Sequence, residues 1–414
     1  MRLTINPSTS LTSCRAPAII KHSVRGRVMV RRAHHPSNHP ESNRGNAERS
    51  RSIKRKHSEP VKIGDVFIGG NYPVLIQSMT KVPTKDIKAI LKQIKDLENV
   101  GCEIIRVAVK DSQDAKAISK IKKYITIPLV ADIHFNYRLA LEAIDSGVDK
   151  IRINPGNIFK KSQLKEIAKQ VKARNIPIRI GVNSGSLRDK YLKLKNTEIA
   201  LVRQAQDCIK TFQDCGIKNM VISLKSSDMF ETINAYRKIS KLYSYPLHLG
   251  VTATGLLQDG IVKSSLGIGT LLMEGIGDTI RVSLLGDPQE EVNVAKRILS
   301  SLGVRTFGPN YICCPTCGRC EVDLREKSKE LTLKLKKIDS KNSRDLTIAL
   351  MGCMVNGPGE ARHADIGVAF GKTKGILFKK GKIIDTISQG RCVDILVNQI
   401  KLSHNLANES EAKL

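Results

Sequence analysis

Between residues 74 and 284 the chain repeats one unit eight times, a short β-rich run followed by a stretch with helical spacing. The runs are VLIQSM (74–79), EIIRVAV (103–109), IPLVADI (127–133), KIRINP (150–155), IPIRIGV (176–182), NMVISLK (219–225), LHLGVT (247–252) and TIRVSL (279–284). In the first interval Ile87, Ile90, Leu91, Ile94 and Leu97 share one helical face, and Gly101 stands past its end. Strands that alternate with helices build a parallel sheet, because the crossover needs the length of a helix. Eight such units match the size of a closed (β/α)8 TIM barrel. An open doubly wound sheet is the alternative. That fold carries a Gly-rich phosphate turn after its first strand, and QSMTKVPT has none.

The barrel makes a chemical expectation, since active sites of this fold sit at the C-terminal ends of the strands. Four runs place an arginine between aliphatic neighbours there: Arg106, Arg152, Arg179 and Arg281. Strand neighbours point to opposite faces, so aliphatics under the helices put each arginine into the barrel mouth. Lys225 adds a fifth cation, Asn154, Asn183 and Ser283 add neutral polar groups, and Asp132 and His134 end the third run. Inward cations are costly without counter-anions, and acids are scarce at the matching strand ends. The expected ligand is therefore phosphorylated or diphosphorylated, because guanidinium forks suit phosphate oxygens. A concave mouth suits a small molecule better than nucleic acid.

Charge outside the barrel is less specific. The chain carries 69 Lys+Arg against 39 Asp+Glu, yet aromatics are only 4% and Trp is absent. A single-strand nucleic-acid binder stacks bases on aromatics, so the surplus reads as a solvated Lys-rich surface. Residues 1–60 hold 13 Lys+Arg against Glu41, Glu48 and Glu59, without strand or helix periodicity. They read as a disordered basic extension, either dispensable or an organelle transit peptide. No apolar run reaches membrane-spanning length, and no secretory core follows the start. The expected location is cytoplasmic, or organellar if residues 1–60 are a transit peptide.

Past the barrel, residues 304–404 read as a small α+β domain and 405–414 as a disordered tail. A charged helix over 321–340 precedes strands at LTIALMG (346–352), DIGVAF (365–370) and ILFKKGKIIDTI (376–387), the last turning at KKGK, and a closing helix over 389–402. Four cysteines fall within FGPNYICCPTCGRC, and Cys353 follows in GCMVNGPGE with Glu360 seven residues on. Without a secretion signal such spacing points to metal rather than disulfides. CPTC, with Cys314 and Cys317, plus Cys353 suits zinc or an iron–sulfur cluster, and Cys313 or Cys320 could add a fourth thiolate. Cys313, Cys317 and Cys320 also have the spacing of enzymes that cleave S-adenosylmethionine. Those carry the triplet after an early strand, however, not beyond the eighth.

The pieces PLVADIHFNYRLAL, RINPGNI, RIGVNSGSL, MEGIGDTIRVSL, CPTCGR and GCMVNGPGE together resemble the 4-hydroxy-3-methylbut-2-en-1-yl diphosphate synthase family, over residues 54–402. The spacing leaves no room for the extra domain of the plant form, so the chain resembles the two-domain bacterial form. The resemblance implies an oxidoreductase of isoprenoid biosynthesis acting on 2-C-methyl-D-erythritol 2,4-cyclodiphosphate. It implies a barrel over 61–303 that binds substrate through Arg106, Arg152, Arg179, Asn183, Lys225, Arg281 and Ser283. It implies a 4Fe–4S cluster on Cys314, Cys317, Cys353 and Glu360, with Glu360 and Asn356 catalytic. Flavodoxin or ferredoxin would donate electrons, and the cluster domain would cap the partner's barrel in a head-to-tail homodimer. One position departs from the family: HLGVTATG has Ala253 where a glutamate is expected. Asp132, or water held by Thr252 or Asn356, would then take over proton delivery; the other readings are an inactive relative or a zinc-ribbon barrel without redox activity.

Overall fold

The computed structural model describes residues 53–252, 254–336, 346–355 and 357–411. Ala253, Asn356 and the greater part of the basic extension lie outside them. The chain opens with a hairpin, β1 Val61–Ile63 and β2 Val66–Ile68. Eight parallel strands follow: β3 Leu75–Met79, β4 Ile104–Val109, β5 Leu129–Ile133, β6 Lys150–Ile153, β7 Ile178–Asn183, β8 Met220–Lys225, β9 His248–Leu249 and β10 Thr279–Ile280. They pair in the order β8-β7-β6-β5-β4-β3-β10-β9, and a parallel bridge between Ile222 and Leu247 joins the two ends into a barrel. All eight expected runs are present. The last two ladders are only two residues long, and beyond them only Arg281 N still bonds Leu249 O, at 3.0 Å.

The helices between the strands are α1 Ile87–Asn99, α2 Ser112–Ile121, α3 Tyr137–Asp145, α4 Lys161–Ala173, α5 Asp189–Leu192, α6 Thr197–Asp214, α7 Met229–Leu242, α8 Leu257–Met273 and α9 Pro288–Ser301. Six of them start on an Asp or Asn whose side chain accepts a backbone N–H: Asp86, Asp111, Asn136, Asn196, Asp228 and Asp287. These caps fix where each helix leaves the mouth loops. The apolar helix faces bury against the outward strand residues, including Ile105, Ile151, Ile178, Ile180, Ile222 and Ile280.

The β1–β2 hairpin, absent from the sequence reading, plugs the opposite end. Val61, Ile63 and Ile68 pack with Leu75, Ile104, Val130 and Val221, which lie at or near the beginnings of barrel strands. Residues 53–60 are also held against the barrel, which corrects the boundary at 60. Arg55 Nη2 and Ser58 Oγ donate to Asp278 Oδ1 at 2.5 and 2.8 Å, and Lys56 N donates to Gly275 O. Polar contacts hold this strap, so no hydrophobic period announced it.

The second sheet has the order β11-β12-β13-β14-β15, with β11 Asn310–Cys313, β12 Thr347–Met351, β13 Ile366–Phe370, β14 Lys374–Lys379 and β15 Lys382–Ser388. The first three strands run parallel and the last three antiparallel. Lys380 and Gly381 turn the final hairpin with positive φ, at the expected KKGK. The helices of this module are α10 Leu324–Lys336, the short α11 Gly357–Glu360, and α12 Cys392–Glu411. α10 and α12 pack on the sheet through Leu331, Leu335, Leu396 and Ile400. β11 was not foreseen, and α12 runs on through Glu411 where a tail from 405 was expected. Among the described residues no helix is long and apolar enough to cross a membrane.

Ile63 has no exposed surface. Ile63→Ala leaves a cavity in the plug and should lower unfolding stability by about 2–5 kcal/mol in a denaturant titration. A change within error would show that the hairpin is not part of the cooperative barrel.

Candidate active site

Strand register decides how the inward side chains stack. Following hydrogen-bonded partners once around the barrel returns a shift of eight residues, so a level plane climbs one residue per strand. Alternate strands then fill tiers of four inward residues. One tier is Arg106, Arg152, Ser223 and Arg281. Above it come Met79, Asp132, Gly181 and Gly250, then Ala108, Asn154, Lys225 and Ser283. Lys81, His134, Asn183 and Thr252 form the rim. Arg179 lies one tier lower, beside Gln77, Val130 and His248. All seven expected ligand-binding residues therefore line one interior column, but the four arginines do not share one level.

Two glycines make room for cations. A Cβ on Gly181 would stand 2.5 Å from Arg152 Nε, and one on Gly250 would stand 2.5 Å from Lys225 Nζ. Arg152 rises past Gly181, donating from Nη2 to Gly181 O at 3.0 Å and from Nη1 to Asp132 Oδ1 at 2.8 Å. His134 Nε2 lies 2.7 Å from the same Nη1. Arg106 sets Nε 3.6 Å from Asp132 Oδ2 and Nη2 3.0 Å from Met79 Sδ. A second carboxylate, missed in the sequence because it sits on a helix rather than a strand end, is Glu291 of α9. It is 2% exposed and faces Lys81 Nζ at 3.1 Å and Arg281 Nη2 at 3.5 Å.

Two carboxylates do not balance the column. Among the described residues Lys81, Arg106, Lys150, Arg152, Arg179, Lys225 and Arg281 line the column with only Asp132 and Glu291 as carboxylates, and of these cations only Lys81, Arg106, Arg152 and Arg281 pair with them. Burial would raise the Asp132 carboxyl, but Arg106 and Arg152 outweigh it and hold the group well below the usual range. Burial, then Arg179 and Arg281, push the Lys225 ammonium well below its ordinary value. Burial and nearby arginines bring Arg106 down to about 9, against the opposing pull of Asp132. An anion placed here would relieve all of these shifts together.

The second cluster of chemistry is in the sheet module. A cavity of about 150 Å³ is lined by Cys314, Cys317, Cys320, Cys353 and Glu360, with Met351, Gly352 and Gly357 in its wall. Cys314 follows β11, Cys353 follows β12, and Gly352 N donates to Cys314 Sγ at 3.2 Å. Thr316, within CPTC, has φ 69°, and the next turn, Cys317–Cys320, is closed by Cys320 N donating to Cys317 O at 2.9 Å. Gly352 must be glycine here, because its Cβ would stand 2.3 Å from Cys320 Sγ. Cys320, left open by spacing alone, thus lines this cavity, whereas Cys313 is exposed on β11 and faces the neighbouring groove. Among the described residues no three His, Cys, Asp or Glu side chains converge on a point that one metal ion could occupy. Asn356, expected beside this cavity, lies outside the described residues.

A barrel whose interior gathers buried cations, followed by a small sheet module that rings a cavity with thiols, defines a class of two-module α/β proteins with separate anion and thiolate chemistry. The chain matches the GcpE TIM-barrel domain over residues 58–296 and the GcpE protein C-terminal domain over residues 310–402. It is 50% identical over 351 residues to the 4-hydroxy-3-methylbut-2-en-1-yl diphosphate synthase (flavodoxin) of Thermodesulfovibrio yellowstonii, covering 84% of this chain and 99% of the relative. It is also 50% identical over 352 residues to the protein of that name from Clostridium acetobutylicum, with the same coverage. The chain belongs to the 4-hydroxy-3-methylbut-2-en-1-yl diphosphate synthase family.

Asp132→Asn leaves Arg152 and Arg106 short of a counter-charge and should cost about 3–5 kcal/mol of stability near neutral pH. A depressed carboxyl stabilises the fold above its unfolded value of about 3.9, and the gain is lost only as pH falls through the lower folded value. The gap between parent and variant in denaturant unfolding should therefore stay level from about pH 8 to 5 and shrink only below about pH 4. A gap that closes near neutral pH would contradict the assignment.

Proposed function

We propose that this protein catalyses the two-electron reductive ring opening and dehydroxylation of 2-C-methyl-D-erythritol 2,4-cyclodiphosphate to (E)-4-hydroxy-3-methylbut-2-enyl diphosphate, with flavodoxin or ferredoxin as electron donor. The observation that carries the reading is the excess of inward cations over carboxylates in the barrel column. Such a column suits a small molecule bearing two phosphates, and family membership names the molecule. In this reading residues 61–303, with the docked strap before them, bind substrate, and residues 304–404 carry the redox centre.

A 4Fe–4S cluster held by Cys314, Cys317, Cys353 and Glu360 would supply the electrons one at a time. The donor set fits a cluster better than zinc. One zinc ion needs donors that meet at a point, whereas a cluster takes one thiolate at each of several irons and wants them spread around a cavity. Glu360, which is exposed, would be the harder and weaker of the four donors and would hold its iron less firmly than the thiolates.

The remaining work falls to the chain's own side chains. Arg106, Arg152, Arg179, Lys225 and Arg281 hold the diphosphate, and Asn183 and Ser283 donate hydrogen bonds at and just below the rim. Two electrons and one proton turn a ring C–O bond and the adjoining C–OH into a double bond, and water leaves. The opened diphosphate gains negative charge, so the pre-placed cations favour the transition state over the bound substrate. Ala253 has no proton to give. Asp132 cannot substitute, because its arginine neighbours keep it ionised. Water held by Thr252 or Asn356, with His134 beside Thr252 on the rim, is left to position or supply that proton. Exposed thiols such as Cys313 and Cys317 suit a reducing, cytoplasmic setting.

The reading includes a head-to-tail homodimer. What supports it is the path of the connection after α9. Arg305 Nη1 bonds Val74 O at 2.8 Å and Glu103 Oε2 at 2.7 Å, both at the N-terminal end of barrel strands. The chain therefore leaves the barrel at the end away from its mouth, which favours capping a second copy.

Anaerobic turnover of the cyclic diphosphate with reduced flavodoxin tests the activity. Arg152→Ala should keep the cluster absorbance and lose kcat/KM on the order of 30-fold or more, since unpairing a buried charged contact costs roughly 2–5 kcal/mol. Arg152→Lys should recover part of it, keeping charge without the fork. Glu360→Gln should load iron and sulfide but turn over poorly; full activity would remove Glu360 from the mechanism. Co-expressed Arg152→Ala and Cys353→Ala chains should regain activity well above either variant alone. Failure to complement, with wild-type dimers present by ultracentrifugation, would count against the shared site.

A further inference from the structure

Beneath the tier of Arg106, Arg152 and Arg281 the barrel interior stays polar for two more levels. The upper is Gln77, Val130, Arg179 and His248, and the lower is Ile104, Lys150, Val221 and Thr279. Barrels of this fold normally fill these levels with Val, Ile and Leu. Here Lys150 and His248 have no exposed surface, and Gln77 and Arg179 have 1%. Neither level contains a carboxylate, and the hairpin plug closes the space below.

The polar atoms of these tiers are not matched to one another. Lys150 Nζ, Arg179 Nε and Nη1, His248 Nε2 and both amide atoms of Gln77 have no hydrogen-bond partner among the described residues. The one bond between the tiers joins His248 Nδ1 and Thr279 Oγ1 at 2.8 Å. An unmatched buried donor costs stability, and an unmatched buried cation costs more. A guanidinium does not shed its proton at working pH, so Arg179 stays charged. Arg179 meets no carboxylate as an ion pair, because Asp132 is taken up by Arg152 and Arg106 two tiers above.

Apart from Gln77 Oε1, the unmatched atoms are nitrogens grouped around the Arg179 guanidinium and Lys150 with no acid at their level, a set that selects an anion. Its depth limits its size. A diphosphate meets the arginine, lysine and serine tiers above and reaches Arg179 only from its upper side, whereas the level of Lys150 lies deeper still, where a monatomic ion is the smallest ligand that carries a single negative charge. We infer that the barrel core holds a halide-sized inorganic anion between Lys150 and Arg179, with Gln77 and His248 as neutral donors. This site rests on the barrel register alone and stands whether or not the reaction proposed above is correct. It gives the diphosphate site a floor, since it offsets the charge of Arg179 from below. Burial and the neighbouring Arg179 push the Lys150 ammonium well below its ordinary value, a shift that a bound anion opposes.

Crystals of the full chain grown in sodium bromide test the site. The expected result is an anomalous difference peak between Lys150 Nζ and the Arg179 guanidinium. In solution, exchanging sodium gluconate for sodium chloride at constant ionic strength should raise Tm saturably, by roughly 2–3 °C at tenfold above half-saturation. Lys150→Met should show no such saturable response. Should Lys150→Met fail to fold, the bromide map of the unaltered protein decides alone. A water without anomalous signal at that position in high bromide would overturn the inference. So would a chloride effect that rises linearly and equally in parent and Lys150→Met.

Discussion

Uncompensated positive charge inside the barrel is the constraint on which the rest of this molecule depends. Guanidinium and ammonium groups fill levels that a barrel of this class usually packs with aliphatic residues. Each such group needs a partner, and Asp132 and Glu291 reach only Lys81, Arg106, Arg152 and Arg281. The fold tolerates the remainder because its apolar core lies elsewhere. Stability comes from the isoleucine and leucine shell between strands and helices and from the hairpin plug. The interior column is thereby free to be assigned to binding rather than packing.

Local backbone choices serve that arrangement. Gly181 and Gly250 stand where any side chain would strike Arg152 or Lys225. In the second module Gly352 does the same for the thiols, keeping Cys314 and Cys320 against one cavity wall. In both places a glycine marks where a functional side chain crosses a strand, and in both the missing Cβ is worth more than the rigidity it would add.

Much of this was readable from the residues. Alternation in IIRVAV, KIRINP, PIRIGV and TIRVSL showed strands, and their arginines showed which face is inward, because period two fixes the side. What period two cannot fix is height. Whether Arg179 sits level with Arg152 depends on the shear between strands, a property of pairing that no single run contains. The same limit hid the unmatched tier of Lys150 and His248, although KIRI already places Lys150 on the arginine face. Glu291 escaped because its role depends on α9 folding back over the mouth. The strap at 53–60, the three-residue strands of the plug and β11 are too short, or too dependent on polar contacts, to leave a periodic trace.

The central claim is that the column is an anion site waiting for a diphosphate, and calorimetry tests it most directly. The cyclic diphosphate should be titrated into the protein near pH 8 in two buffers of different ionisation enthalpy. Because Lys225 is held well below its ordinary value by burial and by Arg179 and Arg281, an arriving anion should raise it. The account predicts saturable binding accompanied by net proton uptake, seen as a heat that differs between buffers and is much reduced in Lys225→Met. Absence of saturable binding, or binding equally tight in Lys225→Met, would contradict it.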